Sequence, residues 1–209
     1  MVSTACEGGR EARAALCRCV MSGGVALFPA DTVYGLACDP LNAQAVKRIA
    51  AMKGRDPSQP TAVMYLDQLL MRELLVDLDP RVGQALVRLL PGPITAIIPN
   101  AAGRYPLAAG DRAGTLGIRL IDGPLAGAGC VLWQTSANRS GKPEAREVVE
   151  VDDKIRAAVD LIVDGGRLPG IASTVVDLTA LVRDEPARVL REGAVHRDEA
   201  RSRLRPPDG

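Results

Sequence analysis

At 209 residues the chain is long enough for one full hydrophobic core and short for two, and its 47% apolar and 24% charged residues are ordinary for a globular protein. A net charge of +1 supplies no global field that would gather nucleic acid, which leaves local cationic pockets as the electrostatic device to look for. No apolar run approaches the roughly 20 residues of a membrane span, and the first residues lack the charged-then-apolar run of a secretory signal, so a cytoplasmic protein with no membrane partner is expected.

Apolar periodicity predicts a helix over residues 11–21, ended by Ser22-Gly23-Gly24, then short strands over 25–28 and 33–38. A helix over 43–52 follows and delivers Lys53-Gly54-Arg55. A strand over 61–66, helices over 69–76 and 82–90, and a strand over 94–98 come next. Residues 100–112, rich in Gly, Ala and Pro, are expected to form an exposed loop. Strands are predicted over 115–120 and 131–134, a helix over 151–159, and strands over 161–163, 174–178 and 188–190. This mixture without a repeat or a dividing linker predicts one α/β layered domain with a largely central sheet, its core spanning about 10–193. The Arg-rich stretch 188–205 is interleaved with Glu192, Asp198 and Glu199, and residues 194–209 are expected to be a basic tail, a solvated helix or a contact surface.

With five aromatic residues, the core must be built from Val, Leu, Ile and Ala. The five cysteines (Cys6, Cys17, Cys19, Cys38, Cys130) contain no CxxC pair and are expected to be reduced thiols with no metal. The single histidine, His196, and the lack of a GxSxG elbow disfavour nucleophilic and metal-dependent hydrolysis. Neither a GxxxxGK[ST] loop nor a strand-following GxGxxG is present, so a bound nucleotide must be held some other way.

Five segments could carry chemistry. In MKGRDPSQP (52–60), Lys53 and Arg55 lie two apart across a glycine, and could face one phosphate site or merely flank a helix end. PADTVYGLACD (29–39) places a hydroxyl, Thr32, between two strands. TSANRSG (135–141) follows an apolar strand with three hydroxyls and an amide, as an anion or ribose cradle or as a capping turn. The same two readings hold for GIASTVVD (170–177). Arg119, near the end of TLGIRL, could grip a carboxylate or form an ordinary ion pair. What remains open is chemistry that relies on positioning and charge neutralisation, such as phosphoryl or nucleotidyl transfer.

These segments, with LPGPITAIIP, STVVDLT and VLREG in the same order across about residues 23–193, resemble the YrdC/Sua5 (TsaC-like) family of L-threonylcarbamoyladenylate synthases. The resemblance implies a YrdC/RibB-like three-layer α/β/α fold with a twisted, mixed central sheet around a cationic cavity. It implies formation of threonylcarbamoyl-AMP and pyrophosphate from L-threonine, bicarbonate and ATP, with Mg2+ accompanying ATP, as the first step toward the N6-threonylcarbamoyl modification of tRNA by a downstream transferase. On matching positions it implies that Thr32, Arg119, Ser136 and Ser173 contact threonine. Lys53, Arg55, Gln59, Thr115, Asn138 and Arg191 would contact ATP, with Lys53 and Arg55 as the catalytic cations and no protein-held metal. The extra C-terminal domain of the longer Sua5 branch is not expected. Three positions depart from the family pattern: Met64 where a histidine facing threonine is usual, Ile121 where proline is common, and Thr61 where leucine is usual. Met64 can pack against the threonine methyl but offers only a weak acceptor, which leaves amino-acid selectivity open. A double-stranded RNA-binding module, or another carbamoyl-adenylate-forming enzyme, are the competing readings.

Overall fold

The computed structural model describes residues 9–205 and, as backbone, residues 2–5. Ten strands form one mixed sheet: β1 (Val2–Ala5), β2 (Ala26–Pro29), β3 (Tyr34–Cys38), β4 (Ala62–Tyr65), β5 (Ile94–Pro99), β6 (Thr115–Leu120), β7 (Val131–Ser136), β8 (Leu161–Asp164), β9 (Thr174–Asp177) and β10 (Arg188–Arg191). Their order across the sheet is β1-β8-β2-β3-β7-β4-β6-β5-β9-β10. β4 runs parallel to β6 and antiparallel to β7, so residues distant in sequence meet at the centre. The helices are α1 (Gly9–Met21), α2 (Ala43–Lys53), α3 (Gln68–Val76), α4 (Pro80–Leu89), α5 (Pro106–Ala109), α6 (Asp153–Ala158) and α7 (Arg197–Leu204).

Strand alternation assigns the two faces different tasks. Ile94, Ala96 and Ile98 of β5, Leu116, Ile118 and Leu120 of β6 and Val176 of β9 join the main core, into which α2, α3, α4, α6 and α7 pack. On the other face, Ala12, Leu16 and Val20 of α1 pack against Phe28, Ala37, Met64 and Leu132 in a second core. Among the described residues α1 is the one helix of that layer, and it covers only half of the face. The uncovered half exposes Thr95 and Ile97 of β5, Thr115, Gly117 and Arg119 of β6 and Val175 of β9 to a cavity.

Several expectations need correction. The loop expected over 100–112 contains α5, started by Pro106 and held by Trp133 Nε1 donating to Leu107 O at 3.1 Å. The helix expected over 151–159 is shortened to α6, because Asp152 caps it through Lys154 N at 2.8 Å after a separate 3-10 turn at Val148–Glu150. β1, unforeseen, pairs in parallel with β8. Residues 194–205 are not a detached tail. Val195 and Ala200 are buried in the main core, and Thr174 Oγ1 accepts from Gly193 N and Val195 N at 2.9 and 3.0 Å, fastening the segment to β9. Residues 206–209 of the expected tail lie outside the described residues.

The expectation of reduced thiols fails for Cys17 and Cys130, which form a disulfide joining α1 to the segment before β7 with a Cα–Cα distance of 5.7 Å. Packing α1 onto the second core brings these two distant residues together. Cys19 and Cys38 are free, and burial is the main cause pushing their thiols up to about 11 and about 12. Cys6 lies outside the described residues. No helix among the described residues is long and apolar enough to cross a membrane.

Candidate active site

The cavity under the uncovered half of the sheet has a volume of about 350 Å3, within the range of small-molecule sites. Its lining includes four guanidiniums (Arg55, Arg112, Arg119, Arg191) and seven Ser or Thr side chains. The floor is kept low by Gly117, where a Cβ would approach Thr61 O to 3.0 Å.

Arg55 reaches the cavity because α2 ends where it does. Asn42 caps the helix by accepting from Gln44 N and Ala45 N, while Ala45, Val46, Ile49 and Ala50 bury its inner face. Gly54 then takes the left-handed conformation at φ 64°, which favours glycine and turns the chain. Arg55 Nη1 donates to Thr135 Oγ1 at 3.2 Å and Nη2 to Gln59 O at 2.6 Å, with the guanidinium 5.8 Å from the Trp133 ring centroid. Burial lowers its pKa, against which the nearby Asp56 acts.

Lys53 occupies a different position from the one expected. It does not line the cavity. Its Nζ donates to Ser136 O, to Asn138 O at 2.6 Å and to Asn138 Oδ1 at 3.3 Å, clamping the TSANRSG loop from behind. Burial and then Arg55 pull its pKa down to about 8, with Glu144 pulling the other way. Asn138 belongs to the same clamp, accepting from Ser136 Oγ at 2.5 Å, and lies outside the lining. Gln59 is exposed and contributes only its carbonyl to Arg55.

Thr32, Ser136, Ser173, Thr115, Arg119 and Arg191 all line the cavity, as does Arg55. Ser173 Oγ lies 2.8 Å from Thr95 Oγ1, and Arg191 Nη2 donates to Ser173 O at 2.8 Å, so β9 and β10 place both at one wall. Arg119 is 5% exposed and ion-paired with Asp31. Burial lowers the Arg119 pKa and raises that of Asp31 in spite of their mutual attraction.

Met64, expected against the substrate methyl, is fully buried in the second core beneath α1 and does not line the cavity. Its side chain shares the face of Arg119, but lies on the half that α1 covers. Thr61, another departure, immediately precedes β4 and does line the cavity. The lining residues Arg112, Gln134, Thr135 and Glu144, and Asp31 behind Arg119, were not singled out from sequence. Thr135 and Asp31 sit inside segments that were recognised. Arg112 and Glu144 carry no sequence signal beyond their types, because α5 and the TSANRSG loop bring them in through long-range contacts.

Six buried polar side-chain atoms among the described residues lack a hydrogen-bond partner. Four of them, Thr32 Oγ1, Thr61 Oγ1, Arg55 Nε and Arg119 Nε, belong to the cavity lining, and a fifth is Asp31 Oδ2. Buried polar groups are nearly always satisfied in native structures, so this concentration marks a place where a polar ligand completes the network.

The Sua5/YciO/YrdC family model, described as "Telomere recombination", matches residues 18–193. The threonylcarbamoyl-AMP synthase of Nitrosococcus oceani is 34% identical over 166 residues, covering 77% of this chain and 88% of that protein. That of Halorhodospira halophila is 34% identical over 177 residues, covering 82% and 86%. The Pyrococcus abyssi Sua5 structure complexed with L-threonine superposes with a TM-score of 0.81 at 26% identity, covering 97% of this chain but 60% of that one. Escherichia coli YciO gives 0.74 at 26% identity, covering 92% and 94%. The family model and these relatives show that the chain belongs to the Sua5/YciO/YrdC family.

Proposed function

We propose that the arginine-lined cavity joins L-threonine, bicarbonate and ATP into threonylcarbamoyl-AMP and pyrophosphate. The activity is that of an L-threonylcarbamoyladenylate synthase, a nucleotidyltransferase of tRNA modification. The observation that carries this reading is the cluster of unpartnered buried donors and hydroxyls around four guanidiniums, since the reaction needs anion binding and short polar readers and no histidine.

In this reading Arg119 holds the threonine carboxylate, with Thr32 and Ser173 reading the hydroxyl and backbone. Arg55, Arg112 and Arg191, with Thr115, hold the triphosphate. The threonine ammonium loses one proton to become a nucleophilic amine, which captures CO2 derived from bicarbonate and loses a second as the carbamate forms; the hydroxide left by bicarbonate takes up one of the two as water. The carbamate oxygen attacks the α-phosphorus as the bond to pyrophosphate breaks. Fixing the reactants side by side can lower the barrier by about 7 to 11 kcal/mol through effective molarity, and the guanidiniums stabilise charge moving onto pyrophosphate. Lys53 serves by holding the TSANRSG loop in place.

Mg2+ enters as the companion of ATP. In this reading the ion is held by the phosphates and by water, which suits the hard oxygen ligands and retained hydration that Mg2+ prefers. The product is a reactive mixed anhydride, and a tRNA threonylcarbamoyltransferase in the same cytoplasmic compartment would consume it. A double-stranded RNA-binding role is not favoured, because a cavity of about 350 Å3 on a chain of net charge +1 suits small anions better than a duplex backbone.

Pyrophosphate release measured with each substrate omitted in turn tests the proposal. Release is expected only when threonine, bicarbonate and ATP are all present, and release that persists without threonine would contradict it.

A further inference from the structure

The cavity lining contains one carboxylate, Glu144, facing four guanidiniums. Glu144 is partly buried, and its carboxylate makes no hydrogen bond or ion pair among the described residues, sensing Lys53 and Arg119 only through space. Its backbone is fixed, because the neighbouring Ala145 is buried and accepts from Tyr34 N at 2.9 Å. An acidic side chain held at an arginine-rich wall without engaging an arginine is free to take a cationic ligand group.

We propose that Glu144 forms the subsite for the α-ammonium group of the amino-acid substrate, an inference that rests on the threonine reading of this cavity. Threonine enters as a zwitterion. Its carboxylate suits a guanidinium, but its ammonium is repelled by all four. Hydroxyls can accept its hydrogens without offsetting its charge. Neutral carbonyls do no more, and two on the TSANRSG loop, Ser136 O and Asn138 O, already accept from Lys53 Nζ. Glu144 is therefore the one lining group with the charge and the free acceptor capacity to orient the amine. Orientation matters because this nitrogen, once it has given up one proton to solvent, must meet CO2 while the carboxylate stays at Arg119.

The test compares calorimetric binding of L-threonine and of (2S,3R)-2,3-dihydroxybutanoate, in which a hydroxyl replaces the amine, to the unaltered protein and to Glu144→Gln. A charge-assisted contact predicts that the unaltered protein prefers threonine and that Glu144→Gln weakens threonine binding by about 10- to 100-fold. Binding of the deaminated analogue and of ATP should change less than about 2-fold, and Glu144→Asp should restore part of the preference. Retained preference in Glu144→Gln overturns the inference. Equal losses for threonine and analogue also overturn it, by making Glu144 a structural residue. Failure of the unaltered protein to bind threonine at all would instead remove the functional reading on which the inference stands.

Discussion

Replacing Asp31 by Asn removes one charge from an ion pair whose side chains are 6% and 8% exposed. Burial pulls both members toward their neutral forms, so the pair gains little over its desolvation while each partner depends on the other. Arg119 already has one buried N–H, Nε, without an acceptor. Leaving its charge uncompensated should cost about 3 kcal/mol. For a chain of 209 residues, at about 2 to 4 °C per kcal/mol, the melting temperature should fall by about 6 to 12 °C. Replacing the two together, as Asp31→Leu with Arg119→Met, removes the buried charge and should recover most of that loss. Saturating threonine, whose carboxylate supplies a new counter-charge, should narrow the deficit of Asp31→Asn. Scanning calorimetry of the three proteins decides the matter. A single variant within about 1 °C of the unaltered protein, or a double variant markedly less stable than the single one, would refute the reasoning.

Two further outcomes follow from the same geometry. Lys53 is depressed to about 8 from 10.5, so the unfolded chain binds the proton more tightly and stability should rise with pH between these values. Denaturant titrations should find the stability difference between the unaltered protein and Lys53→Gln growing in favour of the former by about 2 kcal/mol from pH 7 to pH 10, and a flat difference would contradict the assignment. Cys17–Cys130 closes a loop across a sequence separation of 113, for which chain entropy predicts about 4 to 5 kcal/mol of stabilisation. Cys130→Ser should therefore be destabilised under oxidising conditions and close to neutral with excess reductant; equal effects in both would show that the bond does not form.

The strands and the longer helices were legible because their signals are local: β-branched runs, apolar periodicity, Asn42 before α2 and Gly54 after it. β6 was found with its exact ends, Thr115 and Leu120. What the sequence hid depends on the sheet order. Met64 and Arg119 share a face, but whether a residue there meets ligand or core is decided by how far α1 reaches. The use of Lys53 as a loop clamp follows from the packing of α2 against β3, whose pairing with β7 brings the TSANRSG loop alongside, and Arg112 and Glu144 enter from the turn before β6 and the loop after β7. Val195 and Ala200 were hidden inside an Arg-rich stretch whose charge pattern resembles a free surface helix.

In the proposed reaction, carbon from bicarbonate ends between threonine and AMP. Mass spectrometry of the small-molecule products formed from 13C-bicarbonate, threonine and ATP tests it most directly. An adenylate carrying both threonine and one 13C is expected from the unaltered protein, and its loss is expected in Arg55→Met. An unlabelled threonyl-adenylate, or no adenylate from a protein that binds both threonine and ATP, would contradict it.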